Sequence, residues 1–423
     1  MTLLPILRSE GHEVVMYLHS GSRIGDGVVF KTDDPHAIAE QADLIIFDDN
    51  GLGKMADQFR AKGFNVWNGG TWAERLEYDR VFGMTQFRDC GITIPDTFEV
   101  SSIGDIRSCI STEFRAAERV VIKLDSSEFA GSCMSFVAKD REQLLETAQH
   151  WVDEGKLGKS WSGIIQRFVK GIEVSTEGWW NGESFSNHNI TIEEKKLLPG
   201  NFGPAVGCSF NTIASISANS RLFKLVVEPL EQILRGSGYV GQIDTNAIVD
   251  EDGTPYALEF TPRCGYEATP TLAWGTGRYG HAVAAALGIE SEAEMERSRR
   301  GRFWCATRMY VPPYPFSSHS DDLSVRVYEE CAGVPVSVPD HLRDDFLPYD
   351  VMEVDGELVC AGTCGIVGIA LGGGNDVESA GKACYEVAEQ VSVPNVGFRA
   401  LDGWKRAKRD IDSLQAMRLI SIP

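Results

Sequence analysis

The 423-residue chain has no long unbroken apolar run, no GxGxxG turn in its first 95 residues, no CxxC pair and no excess of basic charge. Each absence removes a class of function. The longest apolar stretch, residues 359–371, is interrupted by Gly362, Gly365 and Gly368, whereas a membrane span needs about 20 consecutive apolar residues. Without a glycine fingerprint between strand and helix, hydride transfer on a dinucleotide is disfavoured. Forty Lys+Arg against 61 Asp+Glu leave a net charge of −21, the wrong sign for coating a nucleic-acid backbone. Ten unclustered cysteines, and an N-terminus without a signal-type apolar run, suit reduced thiols in a cytoplasm.

What is present is enough chain for several cores, because one core stops growing near ~250–300 residues. Residues 2–11 have helical apolar spacing with a glycine stop, and residues 12–18 read as a strand. Residues 43–47 (strand), 54–62 (helix) and 64–67 (strand) continue an alternation that predicts a parallel, doubly wound sheet. A helix therefore comes first, and the strand and glycine turn that usually open such a sheet are expected to be lost or to lie upstream of Met1. Residues 76–90 read as one helix, and the Pro-bearing exit at 91–96 closes a first domain.

Three later segments carry chemistry. In residues 120–124 Lys123 is embedded in an apolar strand that runs into a small-residue loop containing Gly131 and Ser132. A fixed cation beside unobstructed backbone N–H groups suits a phosphate clamp, although alone it also fits an edge-strand lysine beside a surface hairpin. Residues 164–173 form a strand and a turn at Gly171; Phe168 and Val169 can sandwich a ring, the hinge backbone can read an adenine edge, and Glu173, seven residues beyond Gln166, is placed for ribose hydroxyls. In residues 241–265 a strand, a turn at 250–253 and a second strand deliver Glu259 beside Asp244 or Asn246. Hard oxygens on adjacent strands suit Mg²⁺, and Arg263, four residues past Glu259, can balance charge on a transferring phosphoryl group.

In this order the segments resemble the ATP-grasp ligases, whose hinge follows E-[KE]-x-[LFV]-x-G-x-E, with Gln166 at the family's first Glu. YALEFTPRCGYEATPTL is similar to the KVIEFNxRFGDPETQPIL stretch of the phosphoribosylamine–glycine ligases, residues 171–175 to their GEExS turn, and the tail at 361–374 and 396–401 to their C-terminal domain. The resemblance implies a mixed α/β and α+β architecture: a Rossmann-like pre-ATP-grasp domain (1–95), a two-lobed ATP-grasp domain (96–310, with 113–180 the smaller, nucleotide-clamping lobe) and a small C-terminal domain (311–423), with 312–315 as a rigid linker. It implies ATP with Mg²⁺, or Mn²⁺ in its place. ATP phosphorylates a small carboxylic acid, expected to be an amino acid, and an amine then displaces phosphate to leave an amide. Carried over by position, Lys123, Gly131 and Ser132 contact phosphate, Gln166, Phe168, Val169 and Glu173 hold adenosine, Glu259 with Asp244 and Asn246 binds metal, and Arg263 stabilises the acyl phosphate. Lys195 and Lys196 face phosphates or are a solvated pair. No membrane or general nucleic-acid partner is expected, and the chain is a monomer or small homo-oligomer.

At the acceptor motifs this sequence departs from those ligases. Their first GxGGREH turn is absent, residues 48–53 stand near their GPE turn, residues 201–208 replace NTGGMG, and Thr261 stands at a metal-binding asparagine. Gly265 and Tyr266 occupy the substrate turn, Tyr266 at the position of the aspartate that recognises an amino group. The Asp48–Asp49 pair would repel a phosphate and could receive a cationic acceptor. The activity is therefore expected to be that of an ATP-dependent carboxylate–amine ligase resembling phosphoribosylamine–glycine ligase, with two alternatives: another amino acid joined to another amine, such as a modified nucleotide, or a non-catalytic ATP-binding protein of the same fold. Cys208 and Cys264, near that site without a paired histidine, read as packing residues.

Overall fold

Short strands and capped helices build the first 90 residues of the computed structural model, which describes residues 1–19, 21–125, 135–154, 161–291, 300–315, 331–400 and 402–423. Helix α1 (Leu4–Ser9) carries a proline in its first turn, where the missing N–H costs nothing, and buries Leu4 and Ile6. Strand β1 (Val15–Met16) pairs in parallel with β2 (Phe30–Lys31), and Asp34 caps α2 (Pro35–Ala39). Then come β3 (Ile45–Ile46), α3 (Gly53–Ala61) and β4 (Val66–Trp67), with β3 and β4 again parallel. The alternation thus gives parallel pairing, in two separate two-stranded sheets. The single helix expected over 76–90 is two: α4 (Thr71–Tyr78) and α5 (Arg80–Asp89). Asp79 breaks the run, taking an extended conformation while its carboxylate accepts the Phe82 N–H as an N-cap. That break starts α5 at Arg80, whose side chain is buried.

An antiparallel four-stranded sheet follows, in the order β5 (Thr97–Val100), β8 (Gly163–Arg167), β6 (Val120–Leu124), β7 (Ser135–Ala138). Helices α6 (Ile103–Thr112) and α7 (Arg141–Asp153) cover one face, where Ile106, Val120, Ile122, Leu144 and Ile165 pack together. Strand alternation sends Val120, Ile122 and Leu124 into that core and Lys123 out of the opposite face.

The third unit is a sheet of nine strands. Its edge is β13 (Pro255–Thr261), followed by β12 (Gly241–Val249), β9 (Ile172–Trp180), β10 (Phe185–Leu198), β11 (Phe202–Ser215), β14 (Phe303–Tyr310), β18 (Ile366–Gly374) and β15 (Phe346–Pro348); β19 (Gly397–Phe398) also pairs with β14. Helices α8 (Arg221–Val226), α9 (Glu231–Leu234), α10 (Ala268–Thr276), α11 (Tyr279–Ala286), α12 (Val377–Gln390) and α13 (Gly403–Ala416) pack around it, and β16 (Val351–Val354) with β17 (Glu357–Cys360) forms a small hairpin. Trp179 and Trp180 point to opposite sides of β9 and are both fully buried, in different apolar clusters. The sheet is therefore covered on both faces here, each large apolar side chain contributing about 1.5–3 kcal/mol. The expected boundary at 310/311 falls between two strands of this one sheet, since β14 and β18 pair from Phe303–Gly374 to Tyr310–Ile366. Gly372 has no room for a side chain: a Cβ there would lie 2.1 Å from the Cys384 nitrogen of α12. Among the described residues no helix is long and apolar enough to cross a membrane.

Candidate functional site

The register of β12 against β13 sets Asn246 opposite Glu259 and Asp244 opposite Thr261, while β9 sets Ser175 and Glu177 across from Asn246 and Asp244. With a side-chain period of two, these polar groups share one sheet face. Lys195 on β10 reaches the same face, its Nζ 2.5 Å from Glu173 Oε1 and 4.0 Å from Glu259 Oε1. Lys123 arrives from the four-stranded sheet and donates to the Leu258 carbonyl at 2.8 Å. Arg80, from the start of α5, donates through Nη1 to Glu259 Oε2 at 3.0 Å. Three cations from three elements thus surround one carboxylate, at the junction of the two larger sheets.

Glu173 and Glu259 keep 38% and 29% of their side-chain surface exposed, so the cluster lines a cleft rather than a sealed core. Burial opposes ionisation of Glu259, yet the charges of Arg80, Lys123 and Lys195 outweigh it and hold the carboxyl well below its ordinary range. Burial brings Lys123 down to about 8 against the pull of Glu259, and it brings Glu193 up to about 7. Burial also acts against the charge on Lys195, but Glu173, Glu259 and Glu193 raise it overall.

Two further oxygens mark a place for a cation. Asp244 Oδ1 and Asn246 Oδ1 are buried and have no hydrogen-bond partner among the described residues, a costly arrangement for polar atoms unless something fills it. Burial, followed by the charges of Glu177 and Glu193, pushes the Asp244 carboxyl far up, so a positive charge would stabilise its ionised form. Together with Glu259 these are hard oxygen donors of the kind Mg²⁺ takes, and the residues fit that ion.

Other expected nucleotide residues are placed less simply. The Gln166 amide is buried and donates to Thr97 Oγ1 at 3.0 Å, with Met84 Sδ at 3.3 Å, so it points toward β5 and α5 instead of standing free for a base. Phe168 and Val169 lie half-buried in the hinge between β8 and β9, and one face of the Phe168 ring carries the Arg119 guanidinium, 3.7 Å from its centroid. Lys195, not Lys196, is brought to the carboxylates; Lys196 takes part through its carbonyl, which accepts from Ser209 and Arg399. Gly131 and Ser132 lie outside the described residues. Arg80 carried no motif in the sequence. The one available signal was the Asp79 cap just before it.

Beyond the metal position, the loop after β13 meets the loop after β3. Arg263 Nη2 donates to Glu77 Oε1 at 2.9 Å, its Nε lies 3.7 Å from Asp49, and its guanidinium stands 4.7 Å from the centre of the Tyr266 ring. Tyr266 donates to Asp49 at 3.2 Å, and Asn50 donates to the other Glu77 oxygen at 2.8 Å. Asp49 thus has Tyr266 and Arg263 as neighbours within the chain, while burial still pushes its carboxyl up, so a cationic acceptor placed there would share it with Arg263. Asp48 beside it is exposed. The Gly265 N–H is held by Thr269 Oγ1 at 2.9 Å. Behind this loop Glu267 and Arg308 form a buried ion pair, with Arg308 Nε donating at 2.6 Å and Nη1 also bonding Tyr314. Burial pushes the Cys264 thiol up to about 12 and Cys208 well above its usual range, in keeping with packing rather than nucleophilic roles.

No protein-family model matches the chain. A crystal structure of phosphoribosylamine–glycine ligase from Thermotoga maritima superposes with a TM-score of 0.73, covering 94% of this chain and 96% of that one at 21% identity. The chain has the ATP-grasp fold. Other ATP-grasp structures fit at lower scores: the biotin carboxylase domain of Hydrogenobacter thermophilus 2-oxoglutarate carboxylase, in complex with MgADP and bicarbonate (TM-score 0.62, 12% identity, 93% of this chain and 88% of that one), and Staphylococcus aureus N5-carboxyaminoimidazole synthetase (0.54, 12%, 92% and 94%). Among curated proteins, phosphoribosylamine–glycine ligase of Ralstonia nicotianae is 24% identical over 364 residues, 84% of this chain and 82% of that protein. Its Thermotoga maritima counterpart is 25% identical over 419 residues, 92% and 93%. The Glu259 cluster lies where the four-stranded and nine-stranded sheets meet.

Proposed function

We propose that this chain is an ATP-dependent carboxylate–amine ligase that works through an acyl phosphate, as its resemblance to phosphoribosylamine–glycine ligase suggests. The observation that carries the proposal is Glu259, ringed by Arg80, Lys123 and Lys195 beside the unpartnered oxygens of Asp244 and Asn246. Asp244, Asn246 and Glu259 would hold Mg²⁺, or Mn²⁺, which accepts the same ligand type; when bound, it offsets phosphate charge. Lys123, Arg80 and Lys195 supply fixed positive charge for the ATP phosphates, and Phe168, Val169 and the hinge backbone hold the base. Glu173 orients Lys195 and meets the ribose. A carboxylate oxygen of the acid attacks the γ-phosphorus and ADP leaves; the amine nitrogen then attacks the acyl carbon, the C–O bond to phosphate breaks, and the amine proton passes to solvent. Arg263, held by Glu77, is aimed to stabilise charge on the acyl phosphate.

The acid is an amino acid and the acceptor an amine. The closed contacts of Asp49, Arg263 and Tyr266 favour a second reading of that half, in which the pair differs from glycine and phosphoribosylamine. ADP release measured over a panel of amino acids, with and without phosphoribosylamine, tests both. Turnover requiring one amino acid and one amine supports the ligase. ATP binding without ADP release for any pair overturns it in favour of a non-catalytic nucleotide-binding protein, and robust turnover on glycine with phosphoribosylamine removes the second reading.

A further inference from the structure

Away from the cleft, the segment leaving α1 meets the start of α11. The Glu10 carboxylate accepts the N–H groups of Tyr279 and Gly280, each at 2.7 Å, and so caps α11 from another part of the chain. His12 Nε2 lies 3.6 Å from Glu10 Oε2, is shielded from solvent, and has no hydrogen-bond partner among the described residues. The His12 and His281 rings are 4.9 Å apart between centroids, and one ligand atom from each of Glu10, His12 and His281 falls within 4.8 Å of the others. Gly280 makes room for this: a Cβ there would sit 2.5 Å from His12 Nε2. His281 Nδ1 faces the Glu290 carboxylate at 3.0 and 3.3 Å, which leaves the other ring nitrogen for a ligand.

We propose that Glu10, His12 and His281 form a zinc-type transition-metal site, with Glu290 as the carboxylate that orients His281. Two imidazole nitrogens are borderline donors, and with one carboxylate they make a set that suits Zn²⁺ better than Mg²⁺. Tetrahedral ligands at about 2.0 Å from the ion stand about 3.3 Å apart, so the 3.6 Å gap between His12 and Glu10 needs little adjustment. The Glu290–His281 contact has the carboxylate–histidine–metal form that fixes a ring and raises its basicity. With water in the fourth position, the ion would clip the N-terminal segment to α11, remote in chemistry from the oxygen-lined Mg²⁺ position.

The test is calorimetric titration of chelator-stripped, full-length protein with zinc in saturating Mg²⁺, followed by thermal unfolding with and without zinc. One zinc equivalent and a raised unfolding midpoint are expected, both lost in the His12→Ala/His281→Ala double variant and both retained in Glu259→Gln. Glu290→Gln, which keeps both histidines, should weaken zinc binding about 10–100-fold. Cobalt in place of zinc should give a visible spectrum without thiolate charge transfer. Zinc uptake equal in the wild type and the double variant, loss of uptake in Glu259→Gln, or a thiolate band with cobalt would each overturn the proposal.

Discussion

Around Glu259 three cations converge on one carboxylate while Asp244 and Asn246 each keep an oxygen without a partner; around Arg263 the neighbouring groups are joined to one another within the chain. The first cluster is arranged for charges that the protein does not itself supply. The second is a preformed wall, its guanidinium fixed by Glu77 and its half-exposed carboxylate Asp49 bonded by Tyr266. On the function proposed above, one half of the cleft would take up a polyanion and its metal, and the other would admit only what can coexist with an existing ion-pair network.

Four substitutions would break or sharpen this contrast. Glu259→Gln removes the group on which the cations converge, and kcat for ADP release should fall about 1000-fold, the equivalent of several kcal/mol of charge stabilisation; a drop below tenfold would show that the carboxylate is structural. Arg308→Met leaves Glu267 buried without its partner and should lower stability by about 3–5 kcal/mol, read from the urea midpoint. A loss under about 1 kcal/mol would mean that Glu267 accommodates as the neutral acid. Arg80→Met should weaken ATP binding about 10–100-fold, since a hydrogen bond between charged groups is worth about 1.5–3 kcal/mol, and leave the acceptor KM alone. An equal rise in both constants would merge the two clusters into one. Tyr266→Phe loses only a hydrogen bond to Asp49, so the acceptor KM should rise about 2–10-fold with the ATP constant unchanged.

Part of the nucleotide half was legible because strand alternation is a local rule, which sets Asp244 and Asn246 on one face. Counted back from the turn, however, it would pair Glu259 with Thr245; the bulge between Asn246 and Ala247, which no local pattern records, brings Glu259 to their face. Arg80 escaped because residues 76–90 have continuous helical spacing, and only the extended conformation of Asp79 turns the next side chain inward. Glu77 escaped for a different reason. Its role exists only through Arg263, 186 residues away, and no local pattern records that contact. Gln166 was matched by position, but packing against Met84 and Thr97 decides where its amide goes. The run Gly372–Gly373–Gly374 could be seen in the sequence, but not that its bareness admits the backbone of α12.

The pairing of β14 with β18 has a consequence for how the chain can be cut. Three strands of the C-terminal segment, β15, β18 and β19, are part of the same sheet as β14. A chain ending at residue 310 would leave β14 as a bare margin, with Trp304 and Met309 robbed of part of their cover and a row of unpaired backbone groups facing outward. Such a margin is a template for another copy of itself, so a chain cut at residue 310 is expected to aggregate where the full chain does not.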